Sequence, residues 1–446
     1  MRSKIFFILI FILFTAAKSG AQAITDIANA DLLHRAQKAL TRVIVHDIFS
    51  PPVASRIYLY ANAAAYEAAV PSQIKYKSLQ HLVSFFPGIN AGKEQNVNYN
   101  LSAVYAFMKT AQQFVFSEHM LQDSLNFILK SYKKLSPDVY KNSIRFGQMI
   151  ADSVGRWAAK DNYKETRKIN RYRLIKDEGN WLPTPPGYMA AVEPYWNKMR
   201  TVALDSAGEC KPQSAIPFNK IKKSDFYRQA LEVYNIGVKL SPEEKSIALF
   251  WDCNPFFLNT QGHLNFATKK LSPGGHWMSI VSIAAKKKNC DLVTSAAAYL
   301  LTSIALYDGF ISCWDEKYRS NVIRPESYIN SYIDESWRPL LQTPPFPEYP
   351  SGHSVISTAA AVALTYFFGT DFEFDDATET DYGLPIRSFK SFMDAANEAA
   401  ISRLYGGIHY RAAVENGQLQ GQAVGKKILN KIQLTDNWKA HDVVER

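Results

Sequence analysis

Residues 292–313, LVTSAAAYLLTSIALYDGFISC, decide the fold. The run is apolar and rich in alanine, too long for a strand and suited to a buried helix with close neighbours. Its C-terminal end delivers Trp314 and then a polar island, Lys317-Tyr318-Arg319-Ser320-Asn321-Val322-Ile323-Arg324-Pro325. Two more polar islands follow in an otherwise apolar, helix-forming background: Pro350-Ser351-Gly352-His353 and Ser402-Arg403-Leu404-Tyr405-Gly406-Gly407-Ile408-His409.

The same helical periodicity extends outward from this stretch. Asp31 to Val45 carries apolar residues at helical spacing with Asp31 as N-cap. Pro51-Pro52 breaks the chain, and an Ala-rich helix is predicted over 53–69. Further helices are predicted near 101–116, 118–132, 138–160 and 220–234. Ser241-Pro242-Glu243-Glu244 reads as a helix start, and Pro273-Gly274-Gly275-His276 as a turn before a helix over 277–287. Predicted helices at 351–368, 388–405 and 411–429 close the chain, with an acidic loop between Gly369 and Pro385. Almost no segment alternates like a strand. The expected fold is therefore all-α, a two-lobed helical bundle with a segment 24–235 and a C-terminal bundle 240–435 that carries the islands.

Composition agrees with a packed protein. The chain has 446 residues, 47% of them hydrophobic and 21% charged, which excludes a disordered one. Arg2 and Lys4, the apolar run from Ile5 to Ala17 and Ala21-Gln22-Ala23 read as a signal peptide over 1–23, so the protein is expected to be exported, periplasmic or extracellular. The apolar run is too short for the roughly 20 residues that cross a bilayer, and no stable membrane insertion is expected. The net charge of +10 is scattered; with no basic stripe interleaved with aromatics, nucleic acid is not an expected partner. The four cysteines show no CxxC spacing, so zinc is not indicated. They read as free or singly paired structural residues. The oligomeric state stays open, a homo-oligomer included.

Together the islands supply cations, two imidazoles, hydroxyls and glycine amides. Taken singly, Lys317, Arg319 and Arg324 read as surface charges, His353 as a helix-capping residue and His409 as a core histidine. Taken jointly they make a receptor for a tetrahedral oxyanion. Arginine offers a planar fork to two oxygens and lysine a compact charge. Ser351 and Gly352 open a helix whose free N–H groups suit an anion. His276 reads as a helix-start residue outside the pocket. Asp371, Glu373, Asp375 and Asp376 read as a solvated acidic loop.

The pattern of Lys317, Arg324-Pro325, then Pro350 to His353, then Ser402-Arg403 and His409 resembles the superfamily of vanadium-dependent haloperoxidases and type 2 phosphatidic acid phosphatases. Trp314-Asp315 and Pro344-Pro345-Phe346-Pro347-Glu348-Tyr349 look like the haloperoxidase branch. The resemblance implies that Lys317, Arg324, Ser351, Gly352 and Arg403 hold the oxygens of vanadate, that His409 is bonded to vanadium, and that His353 moves a proton. It further implies that Lys317 polarises bound hydrogen peroxide, and that Trp314 and Phe346 line the halide side. Hydrogen peroxide and a halide would be the substrates, and hypohalous acid the product. Two alternatives stand beside this. One is a soluble periplasmic acid phosphatase acting on a small phosphomonoester through a phosphohistidine at His409. The other is a non-catalytic oxyanion-binding protein. The phosphatase pattern places an orienting Asp four residues after the last His; Ala413 stands there, leaving Glu415, Asn416 or a more distant acid for that task. Asp252 is the candidate partner of Arg403, and Asp308 a candidate support behind the site.

Overall fold

The computed structural model describes residues 30–89, 96–261, 264–267 and 269–436. The expected signal segment 1–23 lies outside them. Helices dominate: α1 Asp31–His46, α2 Pro51–Ala69, α3 Tyr99–Gln112, α4 Glu118–Leu129, α5 Pro137–Ala158 and a short α6 Tyr163–Thr166 form the N-terminal half. After a long irregular stretch come α7 Asp225–Lys239, α8 Pro242–Phe250, α9 Pro273–Lys287, α10 Leu292–Ser320, α11 Pro325–Tyr332, α12 Gly352–Phe368, α13 Phe392–Tyr405 and α14 Arg411–Lys431. Two antiparallel pairs are the only strands among the described residues, β1 Leu258–Gln261 with β2 Leu264–Ala267, and β3 Phe374–Asp376 with β4 Arg387–Phe389.

Local chemistry sets the boundaries. Pro51 and Pro52 begin α2 rather than break the chain, because first-turn N–H groups need no partner; the Ser50 hydroxyl accepts from Val53 N at 3.4 Å. Pro273 opens α9 in the same way, so the predicted turn at 273–276 is that helix's first turn. Ser241 and Glu244 form the reciprocal cap at α8. The helix from Leu292 runs past Cys313 to Ser320 and ends on Asn321, whose φ of 49° closes it with a bond from its N–H to the Lys317 carbonyl. The first polar island therefore starts inside a helix, and Lys317 sits on its last turn.

One continuous apolar core reaches from Leu33 to Leu434 and joins the two halves. By length and hydropathy α10 would cross a membrane, but its apolar window is wholly buried. It lies at the centre, with α2 and α12 packed against it. All of α2 is buried. In the N-terminal half, Asp161 takes the Arg56 guanidinium at 2.6 Å and the Tyr60 hydroxyl at 2.9 Å. Asp308 corrects an expectation. It does not reach the islands but accepts three backbone N–H groups, from Val202 (2.9 Å), Ala203 (2.7 Å) and Leu204 (3.0 Å), and so ties the irregular stretch to α10. Burial pushes its carboxyl up to about 6.

Helices α12 and α14 pack closely. A Cβ on Gly421 would fall 2.2 Å from the Val355 carbonyl oxygen, and one on Gly425 2.7 Å from the Val362 side chain. Both are glycine because the helix backbones meet there. The acidic loop is also more ordered than expected: Asp371, Glu373 and Asp375 are exposed, but Asp376 is fully buried on β3. All four cysteines are free.

Candidate active site

The islands converge on one cleft. Its lining includes Trp314 from α10, Phe346 from the 344–350 loop, Gly352 and His353 from α12, Arg403 from α13, and His409 from the turn before α14. Arg324 immediately precedes α11 and is fully buried. Its Nε donates to the Phe346 carbonyl at 2.9 Å and Nη1 to the Ile408 carbonyl at 2.8 Å, while Nη1 also stands 3.3 Å from His409 Nε2. Nη2 is buried and has no partner. Arg403 bonds the Ser402 hydroxyl through Nε (2.9 Å) and the Trp251 carbonyl through Nη2 (2.7 Å). Ser351 caps α12, its hydroxyl accepting from Ser354 N at 3.3 Å. Gly352 follows, and a Cβ there would meet the Trp314 ring at 3.5 Å.

Lys317 is in the cluster, but its donors are spent. The buried ammonium bonds the carbonyls of Pro347 (3.1 Å), Glu348 (3.1 Å) and Pro350 (2.5 Å). It therefore pins the loop before Ser351 and adds positive charge to the cluster, rather than offering a free N–H. Its charge lies 5.1 Å from the Phe346 ring centre and 5.8 Å from that of Trp314. Those rings pack at 5.0 Å and form the apolar wall, with the Trp314 N–H held by the Val192 carbonyl at 3.1 Å.

The acceptor that orients His409 is Glu348. Its Oε1 lies 2.9 Å from His409 Nδ1 and accepts the Tyr410 N–H at 2.9 Å. Nδ1 carries the proton in this arrangement, and Nε2 turns toward Arg324. Glu415 does not serve: it is an exposed partner of Arg411 at 3.9 Å. Ala413 contributes its carbonyl, which accepts the Ser351 N–H at 3.0 Å. Asp252 meets its expected role through charge alone: its Oδ2 pairs with Lys270 at 2.5 Å and Arg403 bonds backbone carbonyls, but the Asp252 carboxylate is the main charge that favours the Arg403 guanidinium against its burial. Arg319, as expected, is a surface charge on Asp315 and Glu316.

The electrostatics suit an anion. Burial lowers Lys317 to about 7 and Arg324 to about 10. Burial, with Arg324, Lys317 and Arg403 adding to it, holds His409 well below the ordinary histidine value. Burial, then Arg403 and His276, do the same to His353. Its Nε2 has no partner. Burial pushes the Glu348 carboxyl up to about 7 against the pull of Arg324.

Comparison with known proteins settles the family. A bacterial vanadium-dependent iodoperoxidase superimposes with a TM-score of 0.86 at 46% identity, over 92% of this chain and 98% of that one. The chain belongs to the vanadium-dependent haloperoxidase family. A family model of the second helical-bundle domain of VCPO matches residues 297–437 of this haloperoxidase. A bacterial vanadium-dependent chloroperoxidase shares the fold in its holo form (TM-score 0.65, 16% identity, 87% of this chain and 93% of that one). Its apo form does so at 0.61 and 15%, over 85% and 95%. No curated protein matches by sequence. The residues of this haloperoxidase fit vanadate: Arg324 Nη2 is an unspent donor, Gly352 opens a helix, the buried charges of Arg324, Arg403 and Lys317 favour an anion, and the unpartnered His353 Nε2 can accept a proton.

Proposed function

We propose that this chain oxidises halide with hydrogen peroxide to hypohalous acid, with vanadate held at His409 Nε2. The observation that carries the reading is the Glu348–His409 pair. A buried carboxylate fixes one imidazole nitrogen and turns the other into a pocket of buried cations. Vanadate bound there supplies a Lewis acid that activates hydrogen peroxide toward a halide. Arg324 and Arg403 would neutralise its oxygens, the Ser351 hydroxyl and the Gly352 N–H would donate hydrogen bonds to them, and Lys317 would add its charge while anchoring the loop. His353, neutral and unpartnered at Nε2, takes a proton from peroxide and returns one to the departing oxygen. The balance is halide, hydrogen peroxide and one proton giving hypohalous acid and water; the halide loses two electrons as the peroxide bond is broken. Trp314 and Phe346 give the halide a dry wall.

The relative that shares 46% identity is an iodoperoxidase, which makes iodide the first halide to try. The basic start and apolar run at the N-terminus support export. The test uses protein freed of vanadate. Iodide oxidation is expected only after orthovanadate is added, and His409→Ala should abolish the gain. Hydrolysis of p-nitrophenyl phosphate without vanadate, and no iodide oxidation with it, would overturn the reading in favour of a phosphatase.

A further inference from the structure

Beside the oxyanion cleft lies a second cluster that the halide chemistry does not use. Cys253 follows α8, His276 stands in the first turn of α9, and Glu379 lies in the turn after β3. All three are buried. Cys253 Sγ is 3.6 Å from His276 Nδ1 and 3.6 Å from Glu379 Oε1, and those two atoms are 3.1 Å apart. On the far side of the ring, Asp376 Oδ2 lies 2.7 Å from His276 Nε2. The Trp251 ring stacks on the imidazole at 4.5 Å.

We infer that Cys253, His276 and Glu379 form a binding site for one divalent cation of the zinc class, adjoining the oxyanion pocket but made of other residues. The spacing is the first argument. A tetrahedral ion with sulfur at roughly 2.3 Å and nitrogen and oxygen at roughly 2.0–2.1 Å sets its ligand atoms about 3.3–3.6 Å apart. The two sulfur separations of 3.6 Å fall at that spacing, and the nitrogen–oxygen separation of 3.1 Å would have to open by only a few tenths of an ångström. Asp376 is the second argument, because a carboxylate on the outer imidazole nitrogen is the usual partner of a metal-bound histidine. It holds the proton on Nε2, so that Nδ1, facing the thiol and Glu379, is the nitrogen that would give up its proton to a metal.

Charge is the third argument. Without metal, an imidazole with a carboxylate at each nitrogen is an imidazolium beside a neutral thiol, whose pKa burial pushes up to about 11. A dication would displace the proton of the thiol S–H and that of Nδ1–H, and bonds to sulfur and nitrogen would form in their place. Two protons leave as two charges arrive, so the net charge of the buried cluster is unchanged. Cys253 also lines the cleft, which provides a route in and room for a fourth, small ligand. Sequence spacing hides the set, since the ligands come from three separated segments.

The test is cobalt titration of the full chain after removal of metals and vanadate. One cobalt per chain is expected, with the intense visible bands of a tetrahedral ion, a thiolate-to-cobalt charge-transfer band and release of two protons per ion. Cys253→Ser should lose the charge-transfer band, whereas Cys210→Ser, Cys290→Ser and Cys313→Ser should each keep it, which identifies the thiolate even if the first variant folds poorly. Asp376→Asn should weaken binding roughly 10- to 100-fold and keep the band. A folded wild-type protein with no thiolate band, or a band that depends on another cysteine, would overturn the site and leave the cluster an imidazolium clamped by carboxylates.

Discussion

Burial, then the neighbouring charges of Arg403 and His276, hold His353 well below the ordinary histidine value. An imidazole whose folded pKa lies below its unfolded value of about 6.5 contributes stability that is fully present above that pH. The contribution is lost as the pH falls toward the folded pKa, since the unfolded chain then binds the proton more readily. His353→Gln is expected to flatten the acid side of the stability profile below about pH 6.5, measured by urea unfolding across pH; a slope identical to wild type would contradict it. At this scale much of the site was legible. Arg324, Gly352, His353, Arg403 and His409 carry a spacing that survives in one dimension. Glu348 did not stand out as the partner of His409, because the two meet across 61 residues of chain. The only signal was an acid two residues before Pro350, in a proline-rich aromatic run. Ala413, which reads as a missing carboxylate, matters through its carbonyl, and a carbonyl leaves no mark in a sequence.

Among the elements, the alanine-rich helices were readable from composition, but their ends were not. The apolar pattern marks the helix only as far as Cys313, yet the polar residues from Asp315 to Ser320 continue α10, where tertiary contacts bury Glu316 and Lys317. The glycines of α14 were also silent, since only the approach of α12 gives them meaning. Gly421→Ala forces a Cβ onto the Val355 carbonyl and should cost about 2–3 kcal/mol in urea unfolding. Because α12 carries Ser351, Gly352 and His353 at its start, the same change should weaken vanadate binding measurably. Wild-type stability together with wild-type affinity would show that the two helices do not need this contact.

For the whole molecule, two helical lobes were the natural reading of the sequence, and the structure joins them through one large apolar cluster in which α2 lies against α10, with two smaller clusters beside it. No helix periodicity could reveal that joint, because it is a contact between distant segments. Residues 240–436 alone would expose the face of α10 that α2 covers and should lack the near-ultraviolet dichroism of packed aromatics. Asp161→Asn tests the same unity from the other half. It leaves the Arg56 guanidinium buried without its carboxylate and should cost about 3–5 kcal/mol. The intact chain should then still melt in one transition; two separate transitions would mean that the lobes are independent.

The measurement closest to the central claim is calorimetric titration of orthovanadate into vanadate-free protein, wild type beside Glu348→Gln. The account predicts one vanadate per chain, bound roughly 10- to 100-fold more weakly when Glu348 no longer fixes Nδ1 of His409, with iodide oxidation falling in step. Equal affinity in the two proteins, or binding that survives His409→Ala undiminished, would contradict it.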